Sequence, residues 1–347
     1  MKFFNMHFVN KTWKPLAGLI VLIALLYAAA GVGMAYVAGF GAVHARLDHA
    51  RWWWLGPAFG GVVIAFVGYF FAYRAINRAE DGPALKLPSL LAVVTAGFGG
   101  FLAQGGTALD EFAMRAGGAD KHEAKARVSA LAGFEHGALA LVACPAAIVA
   151  LIIGGIFPKH DFTWPWAVLP PIGFALAIWL AERYRDRLRE REGWRGKLGI
   201  FFDAIHIVWV VLRRPGTWGY AVLGMMIYWL GDMFALWAAT RAFGFTIGGL
   251  SVIIALGTGM VFTRRTAPLA GAGLILVALV ATLWNAAGVP FAAATLGVAA
   301  YRLLTLFGPM PFGLAALPKL RALGERGEDA PGSGTRTTKG GEPALQH

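Results

Sequence analysis

Apolar stretches too long and too numerous for a soluble core constrain this chain most. They occupy approximately 16–42, 52–73, 131–157, 166–184, 217–240, 246–262, 268–287 and 290–316. A helix needs ~20 such residues to cross the hydrocarbon core of a bilayer. Lipid offers no hydrogen bonds to the backbone, so a spanning segment must satisfy its own, and a helix does. The expected fold class is therefore all-α: a polytopic membrane helical bundle of about eight spanning helices. Charged residues make up 14% of the chain, well below the ~25% usual in soluble domains.

Two further apolar segments, 89–109 and 198–212, need a different placement. Arg74, Arg78 and Lys86 precede the first; Arg115, Lys121, Lys125 and Arg127 follow it. Basic residues mark the cytoplasmic side, so both flanks belong there. If 89–109 crossed, the arginine-rich stretch 183–197 would fall outside. The conflict disappears if 89–109 enters and leaves on one side. Its centre, Gly97-Phe98-Gly99-Gly100 and Gln104-Gly105-Gly106-Thr107, is poor helix material. Irregular backbone at membrane depth survives only inside protein or beside water. The segment 198–212 is short, carries Asp203 and His206, and lies between Lys197 and Arg213-Arg214. It is expected to be re-entrant or interfacial.

With eight spans and two partial segments, both termini are expected in the cytoplasm, and the high Ala, Gly and Arg content suggests a bacterial inner membrane. Trp52-Trp53-Trp54 and Trp164-Pro165-Trp166 then fall at the outer interface, where indoles prefer to sit. Lys2, Lys11 and Lys14 precede the first run, which is too long for a signal-peptide core and reads as a retained anchor. The expected organisation is a cytoplasmic 1–15, a membrane domain over 16–318 and a disordered cytoplasmic tail over 319–347. Residues 324–347 are Gly, Pro, Ser, Thr and charge. Each half also carries a glycine-rich breaker, Gly97–Thr107 and Ala267–Gly273. Paired interruptions in two halves suggest a pseudo-repeat with a central substrate site. Chance glycine and alanine enrichment in a membrane protein is the alternative.

Ionisable groups inside spans are costly, at least ~2.5 kcal/mol each at the bilayer centre. Arg302, beside Tyr301, lies in the middle of the last run. Its guanidinium suits a phosphate through two parallel hydrogen bonds; otherwise it pairs with an acid on another helix. Asp232, next to Tyr228 and Trp229, is a counter-ion for it or a site for a cationic headgroup. Asp120 and Glu123 resemble a capping box, and a helix starting there carries Glu135 and His136 to the cytoplasmic interface or below. Asp110, Glu111 and Arg115 end the first re-entrant segment and are candidates for the same cytoplasmic mouth, with solvated interface charge as the alternative.

Other function classes find little support. The net charge of +12 sits at the ends of apolar runs, which fits anionic headgroups better than nucleic acid. Cys144 is the single cysteine, so neither an internal disulfide nor a cysteine metal site is expected. The histidines are scattered, and no metal or cofactor is implied. Hydrolase elbow, zinc-protease and phosphate-loop motifs do not occur.

Three stretches carry a resemblance to a known family. The first is Gly106-Thr107-Ala108-Leu109-Asp110-Glu111-Phe112-Ala113-Met114-Arg115 with Glu135 after it; the second is Arg264-Arg265-Thr266-Ala267-Pro268-Leu269-Ala270-Gly271-Ala272-Gly273. The third is Gly288-Val289-Pro290 leading to Ala300-Tyr301-Arg302-Leu303. Over roughly 16–318 the chain resembles the lysylphosphatidylglycerol synthase transmembrane-region family, similar to the flippase half of the multiple peptide resistance factor. One departure matters. The family usually places a glutamate after the second breaker, and here Leu276 stands near that position. The soluble aminoacyltransferase domain is also missing from the chain, so synthase activity is not expected.

The resemblance implies a lipid translocator, moving an anionic or aminoacylated phospholipid between leaflets. Arg302 and Tyr301 would take the phosphate, Asp232 and Glu135 an amine, and Gly271 and Gly273 would line the path. Asp110, Glu111 and Arg115 would form its mouth. Implied partners are membrane phospholipid and, among proteins, a second copy or a separate aminoacyltransferase. Two rivals remain: a membrane transferase using a lipid-phosphate donor, with Asp110 or Glu111 as base or metal ligand, and a non-transporting assembly subunit.

Overall fold

A computed structural model describes residues 13–82, 85–98, 107–154, 158–189, 193–260 and 271–328. The centre of the first breaker, Arg264-Arg265 with the start of the second, and the last residues of the tail lie outside these. Every described element is helical: α1 (Trp13–Ala38), α2 (Phe40–Asp48), α3 (Leu55–Arg78), α4 (Leu87–Phe98), α5 (Thr107–Ala116), α6 (Lys121–Ile153) and α7 (His160–Arg189). Then come α8 (Gly193–Arg213), α9 (Pro215–Ala242), α10 (Gly249–Met260), α11 (Ala272–Ala287), α12 (Phe291–Arg302) and α13 (Met310–Glu328).

Among the described residues, six helices are long and apolar enough to cross a membrane: those in 17–38, 52–78, 121–153, 160–188, 215–242 and 291–323. This makes a multi-pass helical bundle with six full-length candidate spans among the described residues, against an expected eight over the whole chain. The runs at 246–262 and 268–287 become α10 and α11, which are shorter helices on either side of the second breaker. The run at 89–109 likewise becomes α4 and α5 on either side of the first. Glycine disfavours helix by about 1 kcal/mol per residue; the first breaker holds five glycines in eleven positions, and the second holds two and a proline. The tail also differs from expectation. α13 continues to Glu328, because Leu320 and Leu323 remain buried and extend the face it packs on α4 and α5.

α9 is the axis of the bundle. It packs along α3 and also meets α6, α8, α10 and α12. Its seam with α3 is backbone on backbone. A Cβ at Gly68 would lie 2.3 Å from the Gly224 carbonyl, and one at Gly231 would lie 2.7 Å from the Gly61 carbonyl. Water does not drive helices together inside lipid, so close approach through small residues supplies the attraction. The pairings 61 with 231 and 68 with 224 make α3 and α9 antiparallel. At one end of this pair the indole of Trp54 packs against Trp237 and under the Arg241 guanidinium, 4.6 Å from its ring centre. The Arg51 amide donates to the Ala242 carbonyl there.

The opposite end is basic. Arg127 of α6 donates to the carbonyls of Ile76, Asn77 and Ala79, closing the last turn of α3. Register shows how α8 lies. The antiparallel seam sets the last turn of α3 level with the first turn of α9. Tyr228 and Trp229 both bond to Glu135, which brings the first turn of α6 to the same height. α8 touches these ends in succession: Asp203 meets His122 at the start of α6, His206 meets Glu80 just past α3, and Arg213 meets Glu182 late in α7. A helix whose middle and end reach the same end of three others lies across them. The segment 198–212 is thus part of one continuous helix, α8.

Candidate functional site

The costly residues gather along α9 beside its seam with α3, where the Tyr228 ring packs on Tyr69 at 5.3 Å. Tyr228 and Asp232 stand one helical turn apart there, so they project the same way. The Tyr228 hydroxyl donates to Oε1 of Glu135 at 2.8 Å, and the Trp229 indole donates to the Glu135 carbonyl at 2.7 Å. One turn further, the Tyr301 hydroxyl of α12 donates to Oδ2 of Asp232 at 2.8 Å. Glu135, Asp232 and Tyr301 are all buried. Three helices thus contribute to one polar line, and Glu135 belongs to protein interior rather than to a wet interface.

Arg302 follows Tyr301 and is 3% exposed. It ends the 12-residue α12, so at 1.5 Å per residue it lies roughly 17 Å along the helix from its start. Asp232 lies roughly 15 Å from the same end of the bundle, measured back along α9. Both are near the middle of a ~30 Å apolar layer. Tyr27 of α1 stands within electrostatic reach of Arg302 and donates to the Ala299 carbonyl. Its ring edge meets Phe307 at 5.6 Å. Directly after Arg302 the helix widens into a π turn, Leu303–Phe307. Such turns recur at functional positions. Within it the Thr305 hydroxyl is buried and makes no hydrogen bond among the described residues.

The first breaker reaches this line. Phe98, the last described residue before it, packs its ring on Tyr69 at 5.4 Å and on Tyr228 at 6.2 Å. The second breaker is approached from α10, which packs on α6, α9 and α11. Gly271 opens α11 with φ +57, a left-handed conformation that suits glycine. Gly273 has another duty: a Cβ there would lie 3.3 Å from Ala30 and from the Leu26 carbonyl, so it lets α11 close on α1. Leu276, where the resemblance expects an acid, is fully buried in the apolar core.

The remaining candidates do not share one surface. On α5, Asp110 is buried, Glu111 half-buried and Arg115 exposed. This helix packs on α6 and α13. Sequence reasoning singled out Arg302, Tyr301, Asp232 and Glu135, and the structure joins Tyr301 to Asp232 directly. It missed the tyrosines that donate or line, Tyr27, Tyr69 and Tyr228. The four-residue spacing of Tyr228 and Asp232 was a readable signal for one of them. It also missed Asp203 as a tie, held by Arg185 at 2.6 Å and His122 at 2.8 Å.

No protein-family model and no curated protein matches this chain. What the arrangement can do must therefore be argued from its chemistry. A buried guanidinium, two buried carboxylates and several phenols stand at mid-depth, beside interrupted helices. Such a set can hold a charged headgroup away from water.

Proposed function

We propose that this chain is an integral membrane lipid translocator, moving an anionic or aminoacylated phospholipid between leaflets of the bacterial inner membrane, with both termini cytoplasmic. The observation that carries the proposal is Arg302: a cation buried at mid-depth, one residue from the Tyr301–Asp232 hydrogen bond and one turn from the buried Thr305 hydroxyl. A charge at that depth is expensive. A phosphodiester passing through would be recognised by charge-assisted, bidentate hydrogen bonds to this guanidinium. Asp232 and Glu135 stand where a headgroup amine would follow. The resemblance to the lysylphosphatidylglycerol synthase transmembrane region points the same way, and the apolar Leu276 favours the phosphate over the amine as the shared recognition element.

The test is reconstitution. The full chain in vesicles containing fluorescent phosphatidylglycerol should exchange the label between leaflets faster than empty vesicles. A charge-assisted hydrogen bond is worth about 1.5–3 kcal/mol, so Arg302→Ala should slow exchange roughly tenfold or more. Arg302→Lys should retain part of it. Equal exchange by the parent and Arg302→Ala would end the proposal. If the Asp232→Ala and Arg302→Ala proteins each melt early while the double variant melts normally, the two residues are a structural pair.

A further inference from the structure

α8 has two unlike faces. Phe202, Ile207 and Val211 are buried against the bundle. Trp194, Leu198 and Phe201 point away and are exposed, and Ile205 and Leu212 continue that stripe at helical spacing. The helix lies across the basic end of the bundle, so the stripe runs along the edge of the same layer that the six long helices cross. Exposed cations bracket it, Arg195 and Lys197 at its start and Arg213 at its end. Two of them sit on indoles: Arg195 over Trp194 at 5.4 Å and Arg213 over Trp209 at 4.5 Å. An indole under a cation is apolar below and charged above, which suits the headgroup level.

The geometry points to α8 as an interfacial helix that recognises an anionic lipid surface. Its apolar stripe enters the boundary between acyl chains and headgroups, and Arg195, Lys197 and Arg213 meet lipid phosphates. A second copy is a poorer occupant, because it would bring the same cations to the same edge. Asp203, His206 and Arg213 tie α8 to α6, α7 and the end of α3, so lipid held here is held against the bundle. The inference requires the chain to sit in a membrane and stands whether or not lipid crosses it.

Site-directed spin labelling tests it on the full chain with Cys144→Ser. Labels go on Leu198→Cys, Phe201→Cys, Ile205→Cys and, separately, Lys197→Cys, in nanodiscs of phosphatidylcholine alone or mixed with phosphatidylglycerol. Oxygen, which partitions into lipid, should collide best with the first three labels, and a water-soluble nickel chelate with the fourth. Phosphatidylglycerol should move the three deeper. Neutralising one cation weakens attraction to an anionic surface by roughly fivefold, so Arg195→Gln with Arg213→Gln should remove most of that movement. Three results would overturn the inference: nickel reaching all three stripe labels, both reagents excluded from them by a covering protein or second copy, or no response to phosphatidylglycerol in the parent. The composition series on the parent decides the matter even if the neutralised protein fails to fold.

Discussion

The middle of the bundle and its basic end both place a carboxylate between helices, and they hold it differently. At the basic end Asp203 is gripped by Arg185 and His122, whose side chains remain 22% and 34% exposed. In the middle, tyrosine hydroxyls donate to Glu135 and Asp232, and every atom involved is buried. Ion pairs near headgroups and water gain little, because solvent screens them. Dry hydrogen bonds at depth depend on how closely the helices approach, since no water can fill a gap. The end is therefore a tolerant fastening, and the middle is set by packing.

The largest effect should come from breaking that packing. At Gly68 and Gly231 the nearest atoms an added Cβ would meet are backbone of the partner helix, which cannot swing aside as a side chain can. Gly68→Leu should prevent α3 and α9 from meeting and abolish monodisperse protein. Gly68→Ala should lower the melting temperature by several degrees, in line with overpacking costs of about 1–3 kcal/mol. Size-exclusion profiles after heating measure both. If Gly68→Leu melts like the parent, the seam does not position α9 and the middle is not packing-controlled.

The glycines also show what the residues reveal in advance. Apolar runs made the helical membrane bundle legible, and the price of buried charge picked out Arg302, Asp232 and Glu135. The count of full spans was not legible. Composition cannot separate one 20-residue crossing from a shorter apolar helix such as α10, because both read as apolar throughout. Partners were equally hidden. Nothing local to Tyr301 says that its hydroxyl will find Asp232, which is 69 residues away. Asp203 looked merely interfacial, since its role depends on where Arg185 and His122 arrive. The Gly61–Gly68 and Gly224–Gly231 spacings were visible, but their pairing needs the antiparallel register.

A finer cut through the middle is Tyr301→Phe, which removes one hydroxyl and no packing volume. Hydrogen bonds inside membrane bundles contribute less than isolation in lipid suggests, and a bond to a carboxylate contributes more than a neutral one. The expected loss is about 1–2 kcal/mol. Combining it with Asp232→Ala should cost less than the sum of the two single changes, because both remove the same bond. Full additivity in thermal melts would mean that the two residues act separately.

The smallest effect should be at the end. Asp203→Asn keeps the shape and one acceptor oxygen but removes the charge that Arg185 and His122 share. Both partners are partly exposed, so water replaces much of what is lost, and the global cost should be about 0.5–1 kcal/mol. Its consequence should be local. α8 is fastened by Asp203 at its middle and by His206 and Arg213 beyond it, so loosening the first tie frees the Gly193–Asp203 half before the rest. Hydrogen exchange should rise over that half while α9 keeps its protection. If exchange instead rises across α9 and the melting temperature falls as far as in Tyr301→Phe, the end is as tightly coupled to the core as the middle, and the contrast between the two regions is lost.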